Sequence, residues 1–165
     1  MVANLTLKDR PKPNSPRDFP LAWDNVFYES PSLGYVVATH QRGIDRGPTV
    51  LTYYYPLVDA NARAARTRLL ETDWRGWAEV TLADISRAHP DIRALVERLD
   101  VMRWGHAMIR PRTGFIWGQA RRDAAKPFRS IHFAHSELSG VALFEEAFDN
   151  GLRAADEVLS VLKIT

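Results

Sequence analysis

Thr49-Val-Leu-Thr-Tyr-Tyr-Tyr-Pro-Leu57 decides the fold class, because here the chain stops reading as strand and begins to read as helix. β-Branched and aromatic side chains fill the stretch up to Tyr55, and such residues suit a pleated surface. Upstream, Trp23 to Tyr28 and Leu33 to Gln41 have the same character, parted by Ser30-Pro31-Ser32, and Gly43 to Pro48 supplies a turn. Three strands on short connections imply an antiparallel meander. Val2 to Leu7 reads as a further strand, and Lys8 to Pro20, with four prolines, as an irregular loop. A chain that enters a strand directly after Met1 is expected to be a piece of something longer.

Downstream of Leu57 the spacing becomes helical. Asp59 to Thr72 is rich in Ala, Arg and Leu, with Asp59 as its cap, and Asp73 or Thr81 caps a second helix running to about His89. Pro90 interrupts, and Asp91 to Leu99 reads as a short helix. Val101 to Arg110 returns to strand character, Pro111-Arg-Thr-Gly114 is a turn, and Phe115 to Gln119 is a brief strand or extended stretch. Arg121 to Pro127 is charged and loop-like, and Ser130 to Ala134 is the last strand. Helix 142–163 closes the chain, with Phe144, Ala147, Phe148, Gly151, Ala155, Val158 and Leu162 spaced for one packed face. The expected fold is α+β: a mostly antiparallel or mixed sheet, a helical insert over 59–99 and a long C-terminal helix. Its expected organisation is 1–128, followed by a closing strand and helix over 129–165.

With 165 residues, 45% of them hydrophobic, the chain can bury one sizeable core. Lys and Arg number 22 against 20 Asp and Glu, and a net charge of +2 gives no reason to expect nucleic acid as a partner. The basic cluster Arg63, Arg66, Arg68 and Arg75 reads as a solvated helical face. The absence of cysteine excludes disulfides, thiolate zinc sites and a cysteine nucleophile. No window reaches the roughly 20 apolar residues of a membrane helix, and no export signal is read at the N-terminus. His40, His89, His106, His132 and His135 lack metal-ligand spacing, and His132 and His135 are expected to point apart. No Gly-x-Ser-x-Gly elbow supports a hydrolase. The rings of Trp23, Phe27, Tyr28, Tyr35 and Tyr53-Tyr54-Tyr55 form either core or the wall of a pocket for a hydrophobic or cationic ligand.

The segment Ile131-His-Phe-Ala-His-Ser-Glu-Leu-Ser-Gly140, running into Leu143-Phe-Glu-Glu-Ala-Phe-Asp-Asn-Gly-Leu-Arg-Ala-Ala155, resembles the closing segment of FAD-dependent amine oxidoreductases. That superfamily ends with a strand reading Phe-Ala-Gly-[Thr/Asp]-Glu, a turn and a helix reading Gly-Tyr-Met-Glu-Gly-Ala. Phe133-Ala134, Glu137, Glu145, Ala147, Gly151 and Ala154-Ala155 fall on matching positions. His135 and Glu146 stand where the family has glycine, and Leu143 where monoamine oxidases place a cage tyrosine. Val101-Met-Arg-Trp-Gly-His-Ala-Met-Ile-Arg-Pro111 resembles a strand and loop of the same relatives, where His-Ala-Met/Leu-x-x-Pro recurs.

The resemblance implies FAD as cofactor, with Ser136, Glu137 and the backbone at Leu143 and Phe144 on its side. Glu137 would lie near the ribityl chain and pyrophosphate, and the start of the last helix would face the pyrimidine edge of the flavin. Trp104 and His106, alternating on a strand, and Tyr54 would line the substrate side. The meander would be the substrate-binding domain, acting on an amine-type small molecule. No Gly-x-Gly-x-x-Gly fingerprint occurs in the chain. The expected partner is therefore a Rossmann-type FAD-binding half or subunit, without which the chain would not hold FAD tightly and would tend to oligomerise. The competing expectations are a non-catalytic binding module that kept the fold and lost the cofactor, and a free-standing small-ligand protein.

Overall fold

A computed structural model describes residues 1–12, 21–39, 43–58 and 61–163. His40, Asp59 and the proline-rich residues 13–20 lie outside them. Two compact units are present, Met1–Gly105 and His106–Thr165; the expected division was at 128–129.

The first unit is built on a five-stranded antiparallel sheet: β1 (Val2–Leu7), β2 (Asp24–Asn25), β3 (Gly34–Val37), β4 (Thr49–Tyr54) and β5 (Val96–Met102), in the order β2-β3-β4-β1-β5. The predicted meander is therefore real, and β1 and β5 extend it past β4. Alternation sends Ala3, Leu5, Leu7, Tyr35, Val37, Leu51, Tyr53 and Leu99 to one face, all buried. β4 stops at Tyr54 because Pro56, just beyond, has no N–H to give a ladder. At the β2–β3 connection Gly34 has φ +84, and a Cβ there would lie 1.8 Å from the Asn25 carbonyl oxygen. Only glycine allows that approach.

Helices α1 (Ala62–Glu71), α2 (Trp74–Ala88) and α3 (Ile92–Leu95) follow the meander. Asn61 caps α1, its side chain accepting from the Arg63 and Ala64 N–H groups at 3.0 and 3.1 Å. Asp73 caps α2 by accepting from Gly76 N–H at 2.8 Å. Thr81 is instead interior to α2, donating its hydroxyl to the Trp77 carbonyl at 2.9 Å. Leu69, Trp77, Ala78, Ile85 and Ile92 complete the core against the sheet.

Asp84 on α2 is the polar anchor of this packing. Its Oδ2 accepts from the hydroxyls of Ser30, Ser32 and Tyr53 at 2.6, 2.7 and 2.8 Å. Burial pushes its carboxyl up, but those three hydroxyls and Arg87 outweigh it and hold the group below its ordinary value. Asp84→Ala is expected to cost about 3 kcal/mol, since the buried Tyr53 hydroxyl loses its acceptor. Urea unfolding measures this, and a loss under about 1 kcal/mol would refute the anchor role.

His89 caps the end of α2 and is buried. Its Nδ1–H donates to the Lys12 carbonyl at 2.8 Å, which leaves Nε2 to accept the Tyr35 hydroxyl proton. Burial lowers its proton affinity below the ordinary histidine value of 6.5. As pH falls below about 6.5 the unfolded chain binds a proton that the folded ring refuses. Stability is thus whole above that pH and falls with acid until the ring's own lower value is reached. Urea midpoints at pH 7 and pH 5 should show this loss in the native chain and not in His89→Gln. An equal loss in both would place its origin elsewhere.

Three expectations need correction here. The predicted helix over Asp91 to Leu99 ends at Leu95, and Val96 begins β5. Val96 and Leu99 mimic a helical repeat, but antiparallel pairing of Leu99 with Leu5 and Val101 with Ala3 wins. The predicted strand over Val101 to Arg110 therefore stops at Met102, so Trp104 and His106 share no strand face.

In the second unit the expected extended stretch and loop over 115–127 contains helix α4 (Gln119–Ala124). The expected closing strand over 130–134 is only a bridge between Phe128 and Ile131, with Arg129 at φ +57 between them. A strand needs a neighbour to pair with, and among the described residues this unit has none. A 3-10 turn, Ser136–Leu138, then leads to helix α5 (Phe144–Leu162), as predicted for the C-terminus.

Candidate functional site

Two surfaces have the features of a site, one in each unit. In the first unit α1 to α3 cover one face of the sheet, and among the described residues no helix or strand covers the β2–β4 end of the opposite face. Cross-strand pairing arranges that face in rows: Asp24, Val36, Thr52, Asn4 and Asp100 form one, and Tyr54, Val2 and Met102 the next. Over the β2–β4 end lies a cleft of about 710 Å³, walled by Trp23, Val26, Leu33, Val36 and Tyr54 with Asp24 at its edge. Its floor is pinned by the Thr52 hydroxyl, which donates to Asn4 Oδ1 at 2.8 Å. At the β5 end Arg98 pairs with Asp100 at 2.8 Å, so these two charges offset each other. The Asp24 carboxylate has no hydrogen-bond or ionic partner among the described residues.

The aromatic cluster thus divides between both of its expected roles. Tyr35, Tyr53 and Tyr55 are core, and Phe27 packs edge-on to Tyr35 at 5.8 Å. Tyr54, at the opposite parity, lines the cleft with Trp23. Tyr28 is fully exposed.

In the second unit the 3-10 turn packs against α5. Arg121 of α4 holds the turn by donating to the Leu138 carbonyl at 2.8 Å. Gly140 closes it at φ +81, where a Cβ would meet the Phe115 ring at 3.1 Å. From α5, buried Asn150 donates to Ser139 Oγ at 2.8 Å, and Arg153 donates to the Phe133 carbonyl at 2.7 Å. His132 and Glu157 pair at 2.7 Å. That bond, with help from Arg153, holds the Glu157 carboxyl below its ordinary range.

The outcome for α5 is an inversion of the expected packing. Asn150 and Ala154 are its buried residues, so the helix seats a mainly polar arc on the turn. The apolar stripe of Phe144, Phe148, Leu152, Val158 and Leu162 faces outward and is exposed. Phe144 and Phe148 stack on one another at 6.3 Å.

The N-terminus of α5 is open. Leu143 occupies the cap position without a side-chain hydrogen bond to the first turn, and Leu143 and Phe144 are 54% and 78% exposed. Unpaired N–H groups and the helix dipole favour negative charge at such an end. Ser136 is half-buried and Glu137 exposed. His135 is turned back into the turn, its Nδ1 accepting from Glu137 N–H at 3.1 Å. His132 and His135 therefore diverge, as their spacing suggested.

Ser136, Glu137, Leu143 and Phe144 are thus gathered in the second unit, around the 3-10 turn and the start of α5. Tyr54 belongs to the cleft of the first unit, and Trp104, exposed just past β5, is not among its lining residues. His106 is exposed at the start of the second unit. Sequence reasoning missed Asp24 and the apolar pair Val26 and Leu33. The available signal was a lone acid directly after Trp23 at the head of an aromatic strand. Among the described residues no group of three potential metal ligands occurs, and no helix is long and apolar enough to cross a membrane. No family model matches the chain, and no curated protein matches it.

Proposed function

We propose that this chain supplies the substrate-side sheet and the closing helix of an FAD-dependent oxidoreductase acting on an amine-type substrate, completed by a Rossmann-bearing half or subunit. The observation that carries the reading is α5: an uncapped, exposed amino end continuing into a bare apolar stripe. It follows directly on the Phe133-Ala134 to Glu137 segment that resembles the family's closing motif. An apolar helical face of this length, left in water, calls for a covering surface.

The residues fit the cofactor at the helix end. The Phe144 N–H would face the flavin's pyrimidine edge beside Leu143, whose own N–H is spent on the Val141 carbonyl at 3.0 Å, and Ser136 and Glu137 would border the ribityl and pyrophosphate side. Bound there, FAD would supply the acceptor for a hydride leaving the carbon beside the substrate nitrogen. The second unit's own share would be to stabilise negative charge at the α5 terminus.

A second reading is a binding module of the same fold without cofactor, and two observations favour it. His135 consumes the Glu137 N–H that a phosphate would otherwise receive. Glu145 and Glu146, in the first turn of α5, partly neutralise the same N-terminal field.

The test is to mix the chain with a flavin-binding half carrying Gly-x-Gly-x-x-Gly, encoded in frame upstream or by a neighbouring gene, and with FAD. The chain alone should stay colourless, and the mixture should elute together and yellow. Co-elution without colour selects the binding module, and failure to co-elute with any such half refutes the proposal.

A further inference from the structure

We propose that the cleft on the open sheet face of the first unit binds an organic cation with an apolar body, with Asp24 as its counter-ion. The chemistry of the walls selects the class. Val26, Leu33 and Val36 offer apolar surface, Trp23 and Tyr54 offer aromatic rings, and among the described residues Asp24 is the only charged one that lines the cleft. Ring faces attract cations through their quadrupole, most strongly where water is displaced. A carboxylate at the rim adds to that attraction and repels anions. On the floor, Thr52 is already engaged with Asn4. Among the described residues no cationic group lines the cleft to favour an anionic ligand.

The site goes beyond the flavin reading, and its chemistry is distinct from it. A nitrogen whose neighbouring carbon gives up a hydride must carry a free lone pair, so it has to be neutral at that moment. A carboxylate favours the protonated or permanently charged form. Asp24 is therefore suited to a cationic centre that is not the one being oxidised. Ligands with two basic centres, or with a quaternary ammonium head, meet this requirement.

The test uses the whole chain without flavin, so its result is independent of the cofactor. Benzyltrimethylammonium, which has no nitrogen lone pair to oxidise, is titrated by calorimetry against phenylmethanesulfonate, an anion of similar body. The cation should bind saturably and at least ten times more tightly than the anion, and more weakly as salt rises. Asp24→Asn should lose at least fivefold in cation affinity with an unchanged thermal midpoint, because the Asp24 side chain has no hydrogen-bond or ionic partner among the described residues. Asp24→Glu should recover most of that loss, and Tyr54→Leu should weaken binding by removing a ring face. Equal affinity for the two probes, no saturable binding of the cation, or native affinity in Asp24→Asn would each overturn the assignment.

Discussion

Replacing Trp77 by alanine should cost the first unit about 4 kcal/mol, a large fraction of the stability of a domain its size. Trp77 is the largest fully buried side chain and sits on α2 at the centre of the core. Its ring meets Tyr55 at 5.8 Å, the Arg68 guanidinium lies over it at 5.6 Å, and its indole N–H donates to the Leu69 carbonyl at 3.3 Å. Alanine removes the apolar area and leaves a cavity that the sheet cannot collapse to fill, because β1, β3 and β4 are fixed by their ladders. It also strands the Leu69 carbonyl and frees Arg68 from one of its two rings. Trp77→Phe keeps most of the volume and loses only the indole bond, so it should cost about 1–2 kcal/mol. Urea unfolding followed by circular dichroism separates the two. If alanine and phenylalanine cost the same small amount, the core is not organised around this ring.

The elements legible in the sequence are those whose signals are local. The residues of β1 and β4 alternate cleanly, and α2 has Asp73 at its start and Pro90 after its end. Each needs nothing distant to form. β5 was hidden because Val96-Glu-Arg-Leu-Asp-Val-Met102 places apolar residues at both helical and strand spacing, and only pairing with β1 decides between them. The same error misplaced Trp104 and His106, whose alternation had meaning only if the strand continued.

At 130–134 the opposite failure occurred. Ile131-His-Phe133 has strand composition, but composition supplies no neighbour, and within its own unit the segment has none. The tyrosine run was legible as a strand and illegible as a site. Period-2 alternation requires Tyr53 and Tyr55 to face one way and Tyr54 the other, but which side becomes core is settled by the helices that land on it. Asp24 escaped notice for a related reason. One acid gains significance only when Trp23, Leu33, Val36 and Tyr54 converge around it, and that convergence crosses three strands.

Phe148→Glu should weaken assembly with the proposed flavin-binding half by roughly 100-fold, or about 3 kcal/mol, while leaving the second unit folded. Phe148 is 59% exposed, and its neighbours are other exposed residues of the α5 stripe. Glutamate is a good helix former, so the free chain loses only the stacking on Phe144. In an assembly the same position would lie under the partner. A carboxylate there is stripped of water without a counter-charge, since the adjoining arc of α5 carries Glu145, Asp149 and Asp156 and no base. The substitution acts twice on the chain by itself: it breaks the exposed apolar stripe through which the proposed self-association would run, and it adds to a like-charged flank. Sedimentation should therefore shift towards monomer as co-elution with the partner half is lost. Asp149→Ala, on the solvated arc, is the control and should change neither. The stripe is excluded as the docking surface if Phe148→Glu still assembles with native affinity. In that case the open end of α5 loses its strongest support as a cofactor site, because helix end and stripe belong to one continuous face.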